Sequence, residues 1–194
     1  MSLEDLYARD GTPVPTLLSQ CFVAIENFGL NIEGIYQIWG RGTHINQLKY
    51  AFETGDQVNK KSDVSRVDFS NPESFYQDVY SVADLVKEFL RELPEPLIPL
   101  EHYFQFMKAA GIDNDDRRRD SLHVLIGMLP AAHWATSRAL FLHLKKIGES
   151  EQNGMSIETL ANCFGLLVIR GVETRLQKLV VKTIIENALE IFDH

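Results

Sequence analysis

The sequence contains little that would indicate a secreted or membrane-spanning protein. It has only two cysteines, Cys21 and Cys163, which lie far apart and in apolar stretches. That usage is typical of a reduced intracellular protein and not of a disulfide framework. No apolar run approaches the ~18 residues of a membrane span, and no charged-then-apolar leader opens the chain. We therefore expect a cytoplasmic protein, which would reach a membrane only as a peripheral protein, through flanking domains of a longer chain.

Basic residues are also in short supply. The 194 residues include 27 acids and 19 bases, giving a formal charge of −8. Because phosphate backbones are bound by basic surfaces, this balance argues against nucleic acid as a general partner. The six histidines form no HxxxH, HExxH or Cys/His cluster, and the motifs GxSxG, GxxxxGK[ST] and GxGxxG are absent. We expect no metal, no cofactor and no self-contained catalytic centre.

The apolar residues that are present recur at the three- and four-residue spacing of helices. They make up 45% of the chain, which at this length indicates one globular domain. No segment alternates as a strand would, so the predicted fold is all-α. Helices are predicted at 15–29, 44–54, 81–92, 100–110, 117–129, 136–148, 156–169 and 175–192, and a polar loop at 56–71. The predicted core includes Leu17, Phe22, Ile25, Leu85, Phe89, Leu90, Leu125, Leu140, Leu144, Leu160 and Phe164.

Two basic residues on one predicted helix stand out. Lys87 and Arg91 are four residues apart and so share a face, where like charges cost a few tenths of a kcal/mol. Glu88 and Glu92 could offset that cost, and the face would then be an ordinary mixed surface. Alternatively, the pair forms a small basic spot for an anionic partner. Periodicity alone does not decide between these interpretations.

Three segments carry a family resemblance. They read GIYQIWG at 34–40, LVKEFLRELPEPL at 85–97 and LANCFG at 160–165, in that order. With them the chain resembles a RhoGAP domain, the GTPase-activating module for Rho-family small GTPases, over nearly its whole length. We assign residues 1–10 to an N-terminal lead and 11–194 to the domain. The lead and the following DGTP resemble fungal members that carry an F-BAR membrane-binding domain upstream.

The resemblance implies a single-domain bundle of about nine helices that docks on the switch regions and nucleotide pocket of a Rho, Rac or Cdc42 type GTPase. Active members insert an arginine from a GIxRxSG-like loop beside the transferring phosphate. Such a finger is worth about 10³–10⁵ in rate, or roughly 4–7 kcal/mol. The protein would thus be a regulator of a GTPase and not an enzyme in its own right.

The sequence departs from the family pattern at this loop. Gln37 occupies the finger position, and Trp39 replaces the serine that follows. The helix resembling NLAxxFGPNL has Thr159 in place of its first asparagine and Leu167 in place of the asparagine that supports the finger. Lys87 and Arg91, by contrast, match family positions for GTPase contact, and we expect both to be solvent-exposed near Gln37.

Three functional hypotheses remain open. The first is a pseudo-GAP, which binds a Rho-family GTPase without accelerating hydrolysis. The second is an active GTPase-activating protein that uses Arg41, between Gly40 and Gly42, as a substitute finger. The third is a structural or regulatory module that no longer binds GTPases. Trp39 is either an exposed interface anchor or a plug for the core beneath the loop.

Overall fold

The computed structural model describes residues 1–54 and 68–193, and every regular element in these ranges is helical. The all-α prediction is therefore confirmed. Two short 3₁₀ helices span Pro72–Phe75 and Leu100–His102. The α-helices of the described ranges are α1 (Leu3–Asp10), α2 (Thr16–Phe28), α3 (Gly42–Thr54), α4 (Val79–Glu92), α5 (Tyr103–Ala110), α6 (Asp115–Gly127), α7 (Ala131–Glu149), α8 (Ile157–Val168), α9 (Thr174–Glu186) and α10 (Ala188–Ile191).

Helix α4, which carries both Lys87 and Arg91, is surrounded by other helices. It packs against α2, α3 and α8, and Val82, Leu85, Val86 and Leu90 are buried on its inner faces. Asp78 caps its first turn by accepting a hydrogen bond from the Ser81 backbone amide. A helix packed on several sides is a rigid support for the loop between α2 and α3, which contacts it.

Helix α1 was not predicted. Its N-terminus is a capping box, in which the Ser2 hydroxyl and the Asp5 carboxylate each bind the other residue's amide, and Gly11 ends it with φ +70°. Leu3 and Leu6 are buried, and α1 contacts α7. The boundary between lead and domain at residue 11 stays a prediction, although the lead contributes these two side chains to the core.

Other boundaries differ from the prediction for local reasons. Helix α7 begins at Ala131, five residues earlier than predicted, directly after its N-cap residue Pro130. The last predicted helix is divided at Asn187. Leu17, Phe89 and Leu125 are only partly buried, while the other predicted core residues are buried. Most of the predicted loop at 56–71 lies outside the described residues.

Candidate functional site

The segment between α2 and α3 forms a tight loop, residues 34–41, which we call the finger loop. Gly34 and Tyr36 both have φ +70°, the left-handed conformation. The amides of Gln37 and Ile38 both donate to the Gly34 carbonyl at 2.8 Å. Such a conformation is unfavourable for a bulky residue such as tyrosine and persists only where its surroundings fix it.

The Tyr36 side chain is held from within the core. Its hydroxyl lies 2.7 Å from His143 Nε2, and His143 Nδ1 lies 2.9 Å from a Glu26 carboxylate oxygen. Burial lowers the pKa of His143 although the bond to Glu26 opposes this, and that bond lowers the pKa of Glu26 to about 2. A neutral imidazole satisfies both partners, because Nδ1–H donates to Glu26 and Nε2 accepts from the tyrosine hydroxyl.

The Tyr36 backbone is held from α4. Lys87 Nζ donates to the Tyr36 carbonyl at 2.9 Å and pairs with Asp84 at 3.0 Å. The other Asp84 oxygen accepts from the Gly40 amide at 2.6 Å. This single ion pair on α4 therefore anchors both sides of the loop tip.

The predicted exposure of Lys87 is wrong. Only 6% of the residue is accessible, because the finger loop folds over the face of α4 that carries it. The spacing of apolar residues alone does not show whether this face is exposed. The ammonium also lies 4.7 Å from the centroid of the Trp39 ring. Since its charge is paired and covered, Lys87 does not contribute to an exposed basic spot.

The end of the finger loop is fixed against the start of α4. A β-carbon at Gly40 would lie 2.3 Å from the Ser81 nitrogen, so glycine is required here for close approach. The Arg41 amide donates to Asp78 at 3.1 Å, and its carbonyl accepts from the Ser81 hydroxyl at 3.3 Å. Arg41 itself is exposed.

The tip of the loop faces solvent. Gln37 is exposed, Ile38 is 46% accessible and Trp39 is 71% accessible. Trp39 is therefore not a plug for the core. An uncharged tip with two large apolar side chains is the kind of surface that anchors protein interfaces.

Helix α8 contributes the opposite side of the site. Thr159, Cys163 and Leu167 are four residues apart and form one partly buried stripe, while Leu166 beside them is exposed. Burial raises the pKa of the Cys163 thiol, and the nearby charge of Lys87 acts against that rise. Helix α8 packs against α4, on which Arg91, one turn on from Lys87, is exposed.

Arg170 is a residue that the sequence analysis missed. One guanidinium nitrogen lies 2.8–3.1 Å from the carbonyls of Leu90, Arg91 and Leu93. These carbonyls have no helical partner because α4 ends there, ahead of Pro94. The sequence does contain a signal for such a residue. A helix that is ended by a proline has unpaired carbonyl groups at its C-terminus, and a cation from elsewhere in the fold can bind them.

Two negative findings apply to residues 1–54 and 68–193, the ranges that the structure describes. In these ranges no three His, Cys, Asp or Glu side chains are grouped closely enough to hold a metal ion. Within the same ranges no helix is both long and apolar enough to cross a bilayer.

Comparison with known proteins identifies the relatives of this chain. The RhoGAP domain profile matches residues 15–172. The chain is 35% identical over 99% of its length to the probable Rho-GTPase-activating protein 7 of Schizosaccharomyces pombe, and 34% identical over 98% to beta-chimaerin of Rattus norvegicus. It spans 27% and 64% of those two relatives. An upstream F-BAR domain in the full-length protein stays a prediction.

A solved structure extends the likeness to the whole fold. Human Rho GTPase activating protein 15 superposes with a TM-score of 0.86 at 26% identity, covering 98% of this chain and 90% of that one. At 98% coverage the superposition extends beyond residues 15–172, the region matched by the profile.

Proposed function

Because this chain belongs to the RhoGAP domain family, we propose that it binds a Rho-family small GTPase of Rho, Rac or Cdc42 type without strongly accelerating GTP hydrolysis. The docking face consists of the finger loop, the end of α4 that carries Arg91, and the α8 stripe at Leu167. The observation that carries the proposal is Gln37, which stands at the exposed tip where active members have an arginine.

Glutamine cannot replace the finger. Its amide is neutral and offers two N–H donors, whereas a guanidinium is a permanent cation with five. Charge that develops on the transferring phosphoryl group would meet no positive side chain at this point. The stabilisation of roughly 4–7 kcal/mol that a finger supplies would be absent.

The geometry disfavours Arg41 as a substitute. Its backbone is bonded to Asp78 and Ser81 at the start of α4, whereas Tyr36, next to Gln37, is bonded to Lys87. Arg41 would have to break these backbone bonds or extend its side chain back along α4 to reach the Gln37 position.

The exposed tip favours binding over the third hypothesis, a module that no longer recognises GTPases. Ile38 and Trp39 keep large apolar areas in contact with water, and such exposure is typical of surfaces that are covered by a partner. Arg91, exposed at the edge of this face, supplies a positive charge for an acidic group on the GTPase.

Isothermal titration with Rho, Rac and Cdc42 type GTPases tests the proposal. We expect binding to the GTP-analogue form and weaker binding to the GDP form. Arg91→Ala should weaken binding at least about tenfold if its charge is desolvated in the complex, since such truncations cost about 2–5 kcal/mol. Arg138→Ala, an exposed arginine of α7, is the matched control. Absence of binding to every GTPase would favour the third hypothesis.

A further inference from the structure

Trp39 is mostly exposed, but its ring also contacts a buried charge. The ring lies over Lys87 Nζ at 4.7 Å although 71% of the residue is accessible. From this contact we infer that Trp39 is a positioning residue: its ring covers the Lys87 ammonium and thereby fixes the finger loop in one conformation before any partner binds.

Three groups surround the Lys87 ammonium. An ammonium group has three N–H donors and no acceptor. Here it contacts the Tyr36 carbonyl, the Asp84 carboxylate and the face of the Trp39 ring. The side chains of Lys87 and Asp84 are 8% and 3% accessible, so little water reaches the pair beneath the ring.

The contacts of Lys87 and Asp84 also join the two sides of the loop tip. The Tyr36 carbonyl and the Gly40 amide both end on the Lys87–Asp84 pair. The pair therefore closes residues 37–39 into a short arch, and Trp39 folds back from that arch onto the pair. A covered ion pair is stronger than a hydrated one because water screens it less.

This role of Trp39 differs from ordinary core packing. A side chain that is mostly exposed contributes little apolar burial to the global fold. A cation–π contact requires an aromatic face, and aliphatic residues of similar size do not supply one. Trp39 should thus control local order in the finger loop while leaving the stability of the domain nearly unchanged.

Amide hydrogen exchange on the isotope-labelled domain tests the loop directly. The Gly40 amide reports the anchor to Asp84. In Trp39→Ser and Trp39→Leu we expect Gly40 to exchange about tenfold faster than in the wild type. Trp39→Phe, which keeps an aromatic face, should stay within about twofold. Interior amides of α4 should be unchanged in all three variants, and thermal unfolding verifies that each is folded.

The matched control is Ile38→Ser, which removes a neighbouring exposed apolar side chain of the same tip. We expect it to leave Gly40 exchange within about twofold. Unchanged exchange in Trp39→Ser, protection in Trp39→Leu equal to that in Trp39→Phe, or equal acceleration in Ile38→Ser would each overturn the inference.

Acetylation of lysines with a small reagent, followed by mass spectrometry, provides an independent measurement. Lys87 should react slowly in the wild type and about tenfold faster in Trp39→Ser, relative to the exposed Lys108. Equal Lys87 reactivity in the two proteins would show that the ring does not cover the ammonium. Both measurements use the domain alone, so their outcome is independent of whether a GTPase binds.

Discussion

Replacing Gln37 by arginine should not be enough to restore a working finger, because Trp39 and Leu167 also depart from the family pattern. Trp39 is large and folds back on Lys87, and Leu167 offers no hydrogen bond where the family pattern has an asparagine. A catalytic cation acts efficiently only when it is held in place before the reaction. On the proposed function, the catalytic loss would therefore be shared among three side chains.

Gln37→Arg should accordingly recover only part of the rate factor of about 10³–10⁵ that a finger provides. Adding Leu167→Asn should raise the rate by more than the product of the two single effects, because the two side chains would contact each other. Single-turnover GTP hydrolysis at saturating concentrations of the domain is the measurement. A full recovery by Gln37→Arg alone would contradict the shared loss.

The buried Glu26–His143–Tyr36 chain should give the domain a characteristic pH dependence. The folded pKa of His143 lies below its ordinary value of 6.5, so the unfolded state binds the proton first as the pH falls. The free energy of unfolding should thus decrease between pH 7 and about 5, by up to about 1.4 kcal/mol per pH unit for one proton.

Urea unfolding at several pH values tests this, with His143→Asn as the comparison. An asparagine amide can take the Nδ1 position and donate to Glu26 but does not titrate, so its slope between pH 7 and about 5 should be shallower. Identical slopes would assign the pH dependence to other groups. Glu26 acts at lower pH: its contribution is present above about 4.5 and is lost as the pH falls toward about 2.

At the scale of elements, α4 depends on a cation from outside the helix. Arg170 satisfies three carbonyls at the helix end that carries Arg91. The proline that follows prevents α4 from continuing, so no backbone amide of a further turn can take over these acceptors. The helix end that carries Arg91 is therefore held by Arg170.

Arg170→Ala should lower the free energy of unfolding by about 1.5–3 kcal/mol, the usual loss for hydrogen bonds to a charged group. Chemical denaturation of the wild type and the variant is the measurement. Arg175→Ala removes an exposed arginine nearby in the chain and should change stability by less than about 0.5 kcal/mol. Equal effects of the two substitutions would show that the cap contributes nothing specific.

Helices were predictable to different degrees for physical reasons. Long amphipathic helices such as α2 and α4 follow directly from the spacing of their apolar residues. Helix α1 is short, and its capping residues Ser2 and Gly11 were its clearest signal. The burial of Lys87 could not be read from periodicity, because it depends on a loop some fifty residues earlier folding over α4 with tyrosine in a left-handed conformation.

At the scale of the whole molecule, we propose a fold that keeps its docking face while glutamine stands at the finger position. The chain matches its relatives across nearly its full length, and its finger loop is anchored on both sides to one buried ion pair. Lys87 belongs to that anchor. Its replacement by alanine would leave Asp84 buried and unpaired, so loss of binding in such a variant would not identify a GTPase contact.

Single-turnover hydrolysis by a Rho, Rac or Cdc42 type GTPase, with wild-type domain added above its measured dissociation constant, tests the central claim most directly. We predict a complex in which the rate of hydrolysis stays close to the intrinsic rate, and no change on Arg41→Ala. A large acceleration by the wild type would contradict the claim. If Arg41→Ala then abolished the acceleration without weakening binding, Arg41 would be the finger despite its anchored backbone.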